Sequence, residues 1–186
     1  IEAGLFNAMA LTKTARKHRI QQNHGFLYGE KYTVFDVMRL CGWAAEQVPQ
    51  NVGGYRLDAD TGSLPIFIKY EASQYGDRFL NPSEIEWFSK NNRSLTSNEF
   101  RWLLNGTEHT PEWQNRHFVP VFIRRKAEEQ EKSYYFVGSA VALDDVRASV
   151  NPGEDGSESK VVISTLKLGK PVDSELYRHL TGKSAL

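Results

Sequence analysis

The chain of 186 residues has a hydrophobic fraction of 40%, an aromatic fraction of 12% and a charged fraction of 25%, which excludes a disordered chain and predicts one domain of ordinary size. Its 23 basic and 23 acidic residues give no net charge, so nucleic-acid binding by bulk electrostatics is excluded and any such binding needs a local patch of cations. The only cysteine, Cys41, excludes an internal disulfide and a multi-cysteine zinc site, and it favours a reducing, cytoplasmic setting.

The N-terminal residues differ in character from the rest of the chain. Asn7-Ala8-Met9 resembles the scar of a cleaved affinity tag, so we expect residues 1–8 to be a tag or vector remnant and the domain to come from a larger parent protein. Residues 9–25 are basic with sparse apolar positions, which is typical of a solvated linker or helix; a nucleic-acid-binding arm is the alternative. We expect one globular domain over residues 26–186. No signal-peptide pattern and no run of 18 apolar residues is present, so we expect no membrane contact.

Short strands and three helices are predicted in the globular part. Thr33 and Asp36 form a capping-box pattern, and the helix that follows carries Cys41 on its apolar face as a small core residue. The glycine-rich, acidic loop at 151–159 is expected to be mobile. Short turns and helices mainly toward the two ends predict an α+β fold with a mainly antiparallel curled sheet or partial β-barrel. Helices are predicted near residues 33–42, 97–104 and 173–181, and strands in a hairpin over 55–70 and at 85–89, 118–124, 134–143 and 161–168.

Most common catalytic signatures are absent. The sequence has no phosphate-binding glycine loop, no serine-hydrolase elbow and no histidine or cysteine ligand spacing, so we expect no cofactor, no metal and no catalytic residue. One enzyme alternative is a metal-dependent nuclease built on Glu158-Ser159-Lys160 and a distant acid. Such a triplet normally lies within a strand, whereas this one is expected in the polar loop before the last strand. The distant acid would be Asp144, Asp145, Glu154 or Asp155.

The stretch from Tyr70 to Ser97 combines the side-chain types that a nucleobase recognition surface needs. Aromatic rings stack on bases, amides and hydroxyls pair with base edges, and cations contact phosphates. All three types alternate within this stretch. For the individual rings the core interpretation is favoured, because Trp87 shares a strand face with Ile85. The polar run Ser89–Ser94 is the stronger candidate for function.

Six segments in register resemble one protein family. They are KYTVFDVMRL (31–40), LPIFIKY (64–70), YGDRFLN (75–81), IEWFSKNNRSL (85–95), VPVFIRR (119–125) and SYYFVG (133–138). Their order and spacing, over roughly residues 26–182, are similar to the uncharacterised C-terminal domain of bacterial DEAD/DEAH-type superfamily-two helicases that also carry a phospholipase-D-like nuclease. The resemblance implies a bacterial cytoplasmic protein that works in defence or restriction-like DNA processing, with the helicase and nuclease domains of its parent chain as partners. By analogy alone, the expected curled sheet is similar to the PUA and SRA-like barrels that inspect modified bases.

The leading hypothesis is a non-catalytic module that recognises DNA, including a modified or unstacked base. Aromatic rings would stack on a base, the polar run would read its edge, and lysines and arginines would contact phosphates. A protein-interaction or regulatory domain that packs on the helicase is the first alternative, and the metal-dependent nuclease is the second. The predicted DNA-binding residues are Tyr70, Tyr75, Trp87, Phe88, Ser89, Lys90, Asn91, Asn92, Arg93, Ser94, Arg124 and Arg125.

Overall fold

Strands dominate the architecture. The computed structural model describes residues 24–44, 48–72, 76–105, 111–153 and 155–184. The expected tag remnant and nearly all of the basic linker lie outside these residues. Within them, the strands are β1 (Lys31–Thr33), β2 (Ile66–Tyr70), β3 (Arg78–Asn81), β4 (Glu84–Phe88), β5 (Pro120–Arg125), β6 (Ser133–Pro152) and β7 (Glu158–Leu168), and the helices are α1 (Val34–Leu40), α2 (Asn98–Leu103), α3 (Pro111–Arg116) and α4 (Ser174–Thr181).

The seven strands form one mixed sheet in the order β2-β5-β6-β7-β4-β3, with β1 also paired to β6. Only β2 and β5 run parallel; the other pairs are antiparallel. The two edge strands approach each other, because the ring of Tyr70 on β2 lies 5.8 Å from that of Phe79 on β3. The sheet is therefore curled into a half-barrel, which confirms the predicted fold class.

Strand β6 accounts for much of this curvature. Its first residues pair with β1 and β5, and the remainder of its 20 residues pairs with β7. The β6–β7 register shifts between Ala140 and Ala142 and again between Asp144 and Arg147, where Asp145 has a φ of +48°. Such bulges bend the strand and increase its twist, so a single long strand can serve both halves of the sheet.

Two hydrophobic clusters lie on opposite faces of the sheet. Ile66, Ile68 and Tyr70 of β2 belong to the larger cluster, together with apolar residues of β4–β7 and of α2, α3 and α4. Phe67, on the other face of β2, belongs to a smaller and more aromatic cluster that includes the buried residues of α1. This alternation is the period-two pattern of a strand that is covered on both faces.

The predicted helices and the hairpin are present. Thr33 caps α1 through a capping box with Asp36, and Asp173 caps α4 by accepting from the N–H groups of its first turn. Cys41 is buried in the smaller cluster, and burial raises its pKa to about 12. Helix α2 corresponds to the helix predicted near residues 97–104, whereas α3 was not predicted. Within the described ranges, no helix has the length and apolar character needed to cross a membrane.

The loop expected at 151–159 is shorter than predicted. Strand β6 continues to Pro152 and β7 begins at Glu158. The sequence pattern suggested a longer loop because polar side chains alternate along these strand ends and no large apolar residue marks them. The mobility of the remaining connection stays a prediction.

Candidate nucleic-acid interface

The polar run singled out in the sequence forms a turn between β4 and α2, and β7 holds this turn in place. The N–H of Ser89 donates to the carbonyl of Val162 at 2.8 Å, and the Ser89 hydroxyl accepts from the N–H of Val162 at 2.8 Å. Further along, the N–H of Arg93 donates to the carbonyl of Lys160 at 3.2 Å. The turn therefore runs along the edge of β7.

Lys90 is held over a buried tyrosine ring. Its Nζ lies 4.8 Å from the ring centroid of Tyr55 and donates to the carbonyl of Val52 at 3.0 Å. Its backbone N–H donates to the Tyr55 hydroxyl at 3.2 Å. The Tyr55 ring packs edge-on against Trp87, with centroids 5.0 Å apart. The ring and the carbonyl together fix the direction of the lysine side chain.

A buried carboxylate positions Arg93. Its Nε lies 2.8 Å from Oε1 of Glu99, and the Tyr55 hydroxyl donates to the same oxygen at 2.9 Å. Glu99 lies in the first turn of α2 and is buried. Because a buried carboxylate is tolerated only when it is paired and hydrogen-bonded, this contact ties the turn to α2.

The electrostatic environment of Lys90 is positive. Burial lowers the pKa of Lys90, and the neighbouring charges of Arg93 and Arg56 lower it further, while Glu99 acts in the opposite direction. Burial is the largest cause of this shift, and the two arginines add to it because like charges disfavour the protonated ammonium. An anion that binds beside Lys90 would reduce the repulsion among Lys90, Arg93 and Arg56.

These residues define one surface, which we call the cationic turn: residues 89–94 together with Arg56 and Lys160. Asn91, Asn92 and Lys160 are exposed on it. Cations and amide side chains therefore face solvent together. This is the chemistry that contacts phosphates and base edges in nucleic-acid complexes.

Two of the aromatic residues predicted to stack on a base, Trp87 and Tyr70, do not lie on this surface. Trp87 is 1% exposed and Tyr70 is 5% exposed, both within the larger cluster. Stacking by either ring does not fit this conformation, because no ring face is open to a ligand, and burial supports the core interpretation of Trp87. Phe88 is half-buried, and its N–H donates to Oδ1 of Asp77 at 2.8 Å. Tyr75 lies outside the described residues.

Two serines of the predicted set have structural partners. The Ser89 hydroxyl, which is buried, donates to the carbonyl of Lys90 at 2.9 Å in addition to accepting from β7. The N–H of Ser94 donates to the Ser97 hydroxyl at 3.0 Å ahead of α2. A base-reading role for Ser89 does not fit this geometry, because its hydroxyl is already engaged on both sides.

Arg124 and Arg125 lie away from the cationic turn, because the end of β5 pairs with the first residues of β6, not with β7. Arg124 is 7% exposed; its guanidinium carbon lies 4.5 Å from the ring centroid of Tyr134, and it donates to the carbonyl of Glu131. Arg125 forms an ion pair with Glu128 at 3.0 Å. The structure therefore separates these two arginines from the other predicted phosphate contacts.

Sequence reasoning missed part of the surface. Arg56 was placed only in a hairpin strand, and neither Tyr55 nor Val52 was singled out. Their contacts with the turn join residues far apart in the chain, which no local pattern encodes. One usable signal was the Gly53-Gly54 pair, which marks a close turn beside an aromatic and a cationic residue.

The nuclease triplet is placed differently from the expectation. Glu158 and Lys160 belong to β7 and not to a polar loop. Their partners on β6 are Pro152 and Val150, so no carboxylate lies directly opposite them, and Asp144 of β6 pairs with Thr165 farther along β7. The described parts of the chain contain no group of three or more His, Cys, Asp or Glu side chains that would hold a metal ion.

Two surface grooves lie away from the cationic turn. One, of about 620 Å³, is lined by Tyr28, Phe136, Lys170 and the start of α4. The other, of about 670 Å³, contains Arg125 and a small part of the buried Tyr70 surface. Neither groove includes a residue of the cationic turn.

Several solved structures are similar to this chain at low sequence identity. The DNA recognition domain of the cytosine modification-dependent restriction endonuclease LpnPI is 12% identical, with a TM-score of 0.49 over 87% of this chain and 90% of that chain. The SRA domain of SUVH5, in complex with fully methylated CG DNA, is 14% identical, with a TM-score of 0.45 over 80% of this chain and 94% of that chain. The sulfur-binding and SRA domains of ScoMcrA, complexed with phosphorothioated DNA, are 14% identical, with a TM-score of 0.45 over 83% of this chain.

The match to ScoMcrA spans 45% of that chain, less than half of its length. No curated protein matches the sequence. A family model described as a domain of unknown function (DUF3427) matches residues 26–180, most of the chain, and the chain therefore belongs to this family.

Proposed function

We propose that this domain is a non-catalytic DNA-recognition module that contacts the phosphate backbone through the cationic turn. The observation that carries the proposal is the grouping of Arg56 and Arg93 near Lys90, beside the exposed Asn91 and Asn92 and next to Lys160, whose carbonyl accepts from the N–H of Arg93.

The rigidity of the turn supports this role. Arg93 is held by Glu99, and Lys90 is held by Tyr55 and Val52, so less side-chain freedom is lost when they meet a phosphate. Of the predicted residues, Lys90, Asn91, Asn92 and Arg93 keep their proposed role. We propose the same role for Lys160.

The larger context is part of the proposal. The resemblance of the six sequence segments supports a parent chain with helicase and nuclease domains, in which this module selects the DNA that the other domains process. A modified base is the ligand class that this context favours.

The proposal is tested by fluorescence anisotropy with single-stranded, duplex and modified-base DNA over a range of salt concentrations. Lys160→Ala removes an exposed cation and should weaken binding to every DNA ligand severalfold at low salt. It should also reduce the salt slope by about one, the value for one lost phosphate contact. Lys132→Ala is the matched control, since Lys132 is exposed in the β5–β6 connection, and it should leave affinity and slope unchanged.

Two outcomes contradict the proposal. One is a wild-type domain that binds none of these ligands at low salt. The other is an equal effect of the Lys160 and Lys132 substitutions, which would indicate bulk electrostatics without a defined site.

One observation favours the protein-interaction alternative. Phe35 and Leu40 of α1 are 52% and 43% exposed, and Leu27 and Tyr28 are exposed before β1. Exposed large apolar side chains are a feature of protein contact surfaces. If the domain binds no DNA, calorimetric titration with the remainder of its parent chain should show binding that Phe35→Ser weakens.

A further inference from the structure

Two cations of the cationic turn are held by one scaffold. Nζ of Lys90 lies 4.8 Å from the ring centroid of Tyr55. The hydroxyl of the same tyrosine donates to Oε1 of Glu99 at 2.9 Å, and Nε of Arg93 lies 2.8 Å from that oxygen. The ammonium and the guanidinium are therefore joined through one ring and one carboxylate oxygen.

The backbone leaves room for the lysine at this place. Gly53 has a φ of +61°, and a Cβ at this position would lie 3.2 Å from Nζ and 3.3 Å from Cε of Lys90. Any other residue would be strained here and would press against the lysine side chain. Nζ also donates to the carbonyl of Val52 at 3.0 Å. The backbone and the Tyr55 ring together fix the position of the ammonium.

Both side chains keep hydrogen-bond donors that the fold does not use. An ammonium has three N–H donors, and within the described ranges Nζ of Lys90 makes one hydrogen bond and no ion pair. The guanidinium of Arg93 is 39% exposed at its side chain and faces Glu99 through Nε. In the same part of the chain its terminal nitrogens make one long contact, from Nη1 to the carbonyl of Asn92 at 3.5 Å. These donors remain for a ligand with several acceptor oxygens.

The charge around these donors is positive. Among the described residues, the charges that act on Lys90 are those of Arg93, Arg56 and Glu99. Glu99 is the one carboxylate among them, and it is already paired with Arg93. Lys160 does not belong to this group, although its carbonyl accepts from the N–H of Arg93. The side chain of Lys160 therefore extends away from the ammonium of Lys90.

We infer that Lys90 and Arg93 bind one phosphate group together, and that Lys160 contacts a different phosphate of the same DNA. This inference rests on the proposed function. It adds that the cationic turn contains a defined site for a single phosphate, shared by two side chains, and not a row of independent contacts.

The chemistry of a phosphate fits this pair. Each phosphodiester of DNA has two free oxygens, so one can accept from the planar guanidinium while the other accepts from the ammonium. The phosphate charge would also reduce the repulsion between the two cations. Because the scaffold already holds both side chains, little side-chain freedom is lost when they meet the same group. Inorganic phosphate has the same oxygens and serves as a second probe of the site.

The salt dependence of DNA binding distinguishes one shared phosphate from two separate ones, because its slope counts neutralised phosphates and not cations. The double variant Lys90→Gln/Arg93→Gln should therefore reduce the slope for duplex DNA by about one. Adding Lys160→Ala should reduce it by about one more. Each of the first two substitutions should also cost less affinity in the background of the other than it does alone. A slope reduction of about two in the double variant would overturn the inference.

A second measurement avoids Arg93→Gln, which removes the ion-pair partner of the buried Glu99 and lowers stability. DNA affinity is compared in inorganic phosphate and in chloride at equal ionic strength. Phosphate should weaken binding more than chloride does for the wild-type domain and for Lys132→Ala, an exposed control, and this difference should disappear in Lys90→Gln.

The outcomes separate this inference from the proposed function. Equal effects of phosphate and chloride on the wild-type domain would overturn the shared site while leaving DNA binding intact. So would a phosphate effect that Lys90→Gln retains in full. Loss of all DNA binding by the wild-type domain at low salt would instead refute the proposed function, and this inference with it.

Discussion

The N–H of Arg93 donates to the carbonyl of Lys160 at 3.2 Å, and the residue that makes this contact possible is the one before it. Asn92 has a φ of +60°, a left-handed conformation that asparagine and glycine tolerate better than other residues. Asn92→Gly should therefore change the free energy of unfolding by less than about 0.5 kcal/mol, whereas Asn92→Ala should lower it by about 1 kcal/mol. Urea denaturation measures both values.

Asn91→Ala is the control for this comparison, because Asn91 is exposed and its φ is not positive. It should leave the stability nearly unchanged. Equal stabilities of the Asn91→Ala and Asn92→Ala variants would show that the turn does not depend on the left-handed residue.

Local patterns were sufficient for the elements with local signals. α1 begins with a capping box and α4 with an aspartate cap, and both helices were predicted. α3 was missed because its only large apolar residue is Trp113, so no helical periodicity is visible. The full length of β6 was missed because its second half is partly exposed and its bulges interrupt the alternation.

In the candidate site, too, the residues with local sequence signals were predicted and those that depend on tertiary contacts were not. The polar run 89–94 was identified because turn residues, amides and cations are adjacent in the sequence. The burial of Ser89 and Arg124 was not foreseen, since their partners Val162 and Tyr134 belong to other strands. Arg56 is distant from the polar run in the sequence, and only folding brings it near Lys90. Composition identifies the kinds of side chain, and tertiary pairing decides which of them stay available to a ligand.

Trp87 gives a test of core packing against base stacking. Trp87→Ala should lower the free energy of unfolding by about 3–5 kcal/mol, because a large buried ring is replaced by a cavity. Trp87→Phe keeps part of the volume and should cost less. Since the ring is buried, the folded Trp87→Phe variant should bind DNA with wild-type affinity in an anisotropy titration. A tenfold loss of affinity with retained stability would indicate that the indole contacts the ligand after all.

The nuclease alternative predicts a measurable activity. If Glu158 and Lys160 formed a metal-dependent site, purified protein with Mg²⁺ or Mn²⁺ would degrade plasmid DNA, and Glu158→Ala and Lys160→Ala would each abolish the cleavage. We expect no cleavage, because Pro152 and Val150 lie opposite this pair, and Asp144 of β6 lies opposite Thr165, well along the strand from Glu158. Gel analysis of plasmid topology over several hours is the measurement, with a chelator as its control.

The carboxyl of Asp77 predicts a pH dependence of stability. Burial raises its pKa from 3.8 to about 6, although the hydrogen bond from the N–H of Phe88 acts in the opposite direction. A raised pKa means that the folded state binds the proton more tightly than the unfolded state does. This contribution to stability is therefore complete below about pH 3.8 and is lost as the pH rises through about 6.

Asp77→Asn isolates this contribution, because the asparagine oxygen can still accept from Phe88 while the side chain stays neutral. Between pH 4 and pH 7 the wild-type domain should lose on the order of 2–3 kcal/mol of unfolding free energy relative to the variant, since each pKa unit corresponds to about 1.4 kcal/mol. Urea denaturation at several pH values measures the difference. Asp155→Asn is the control with the opposite sign: hydrogen bonds from Ser157 lower the pKa of Asp155, so the wild-type advantage over that variant should shrink as the pH falls. A difference between wild type and Asp77→Asn that does not vary with pH would show that the carboxyl is not desolvated in the folded domain.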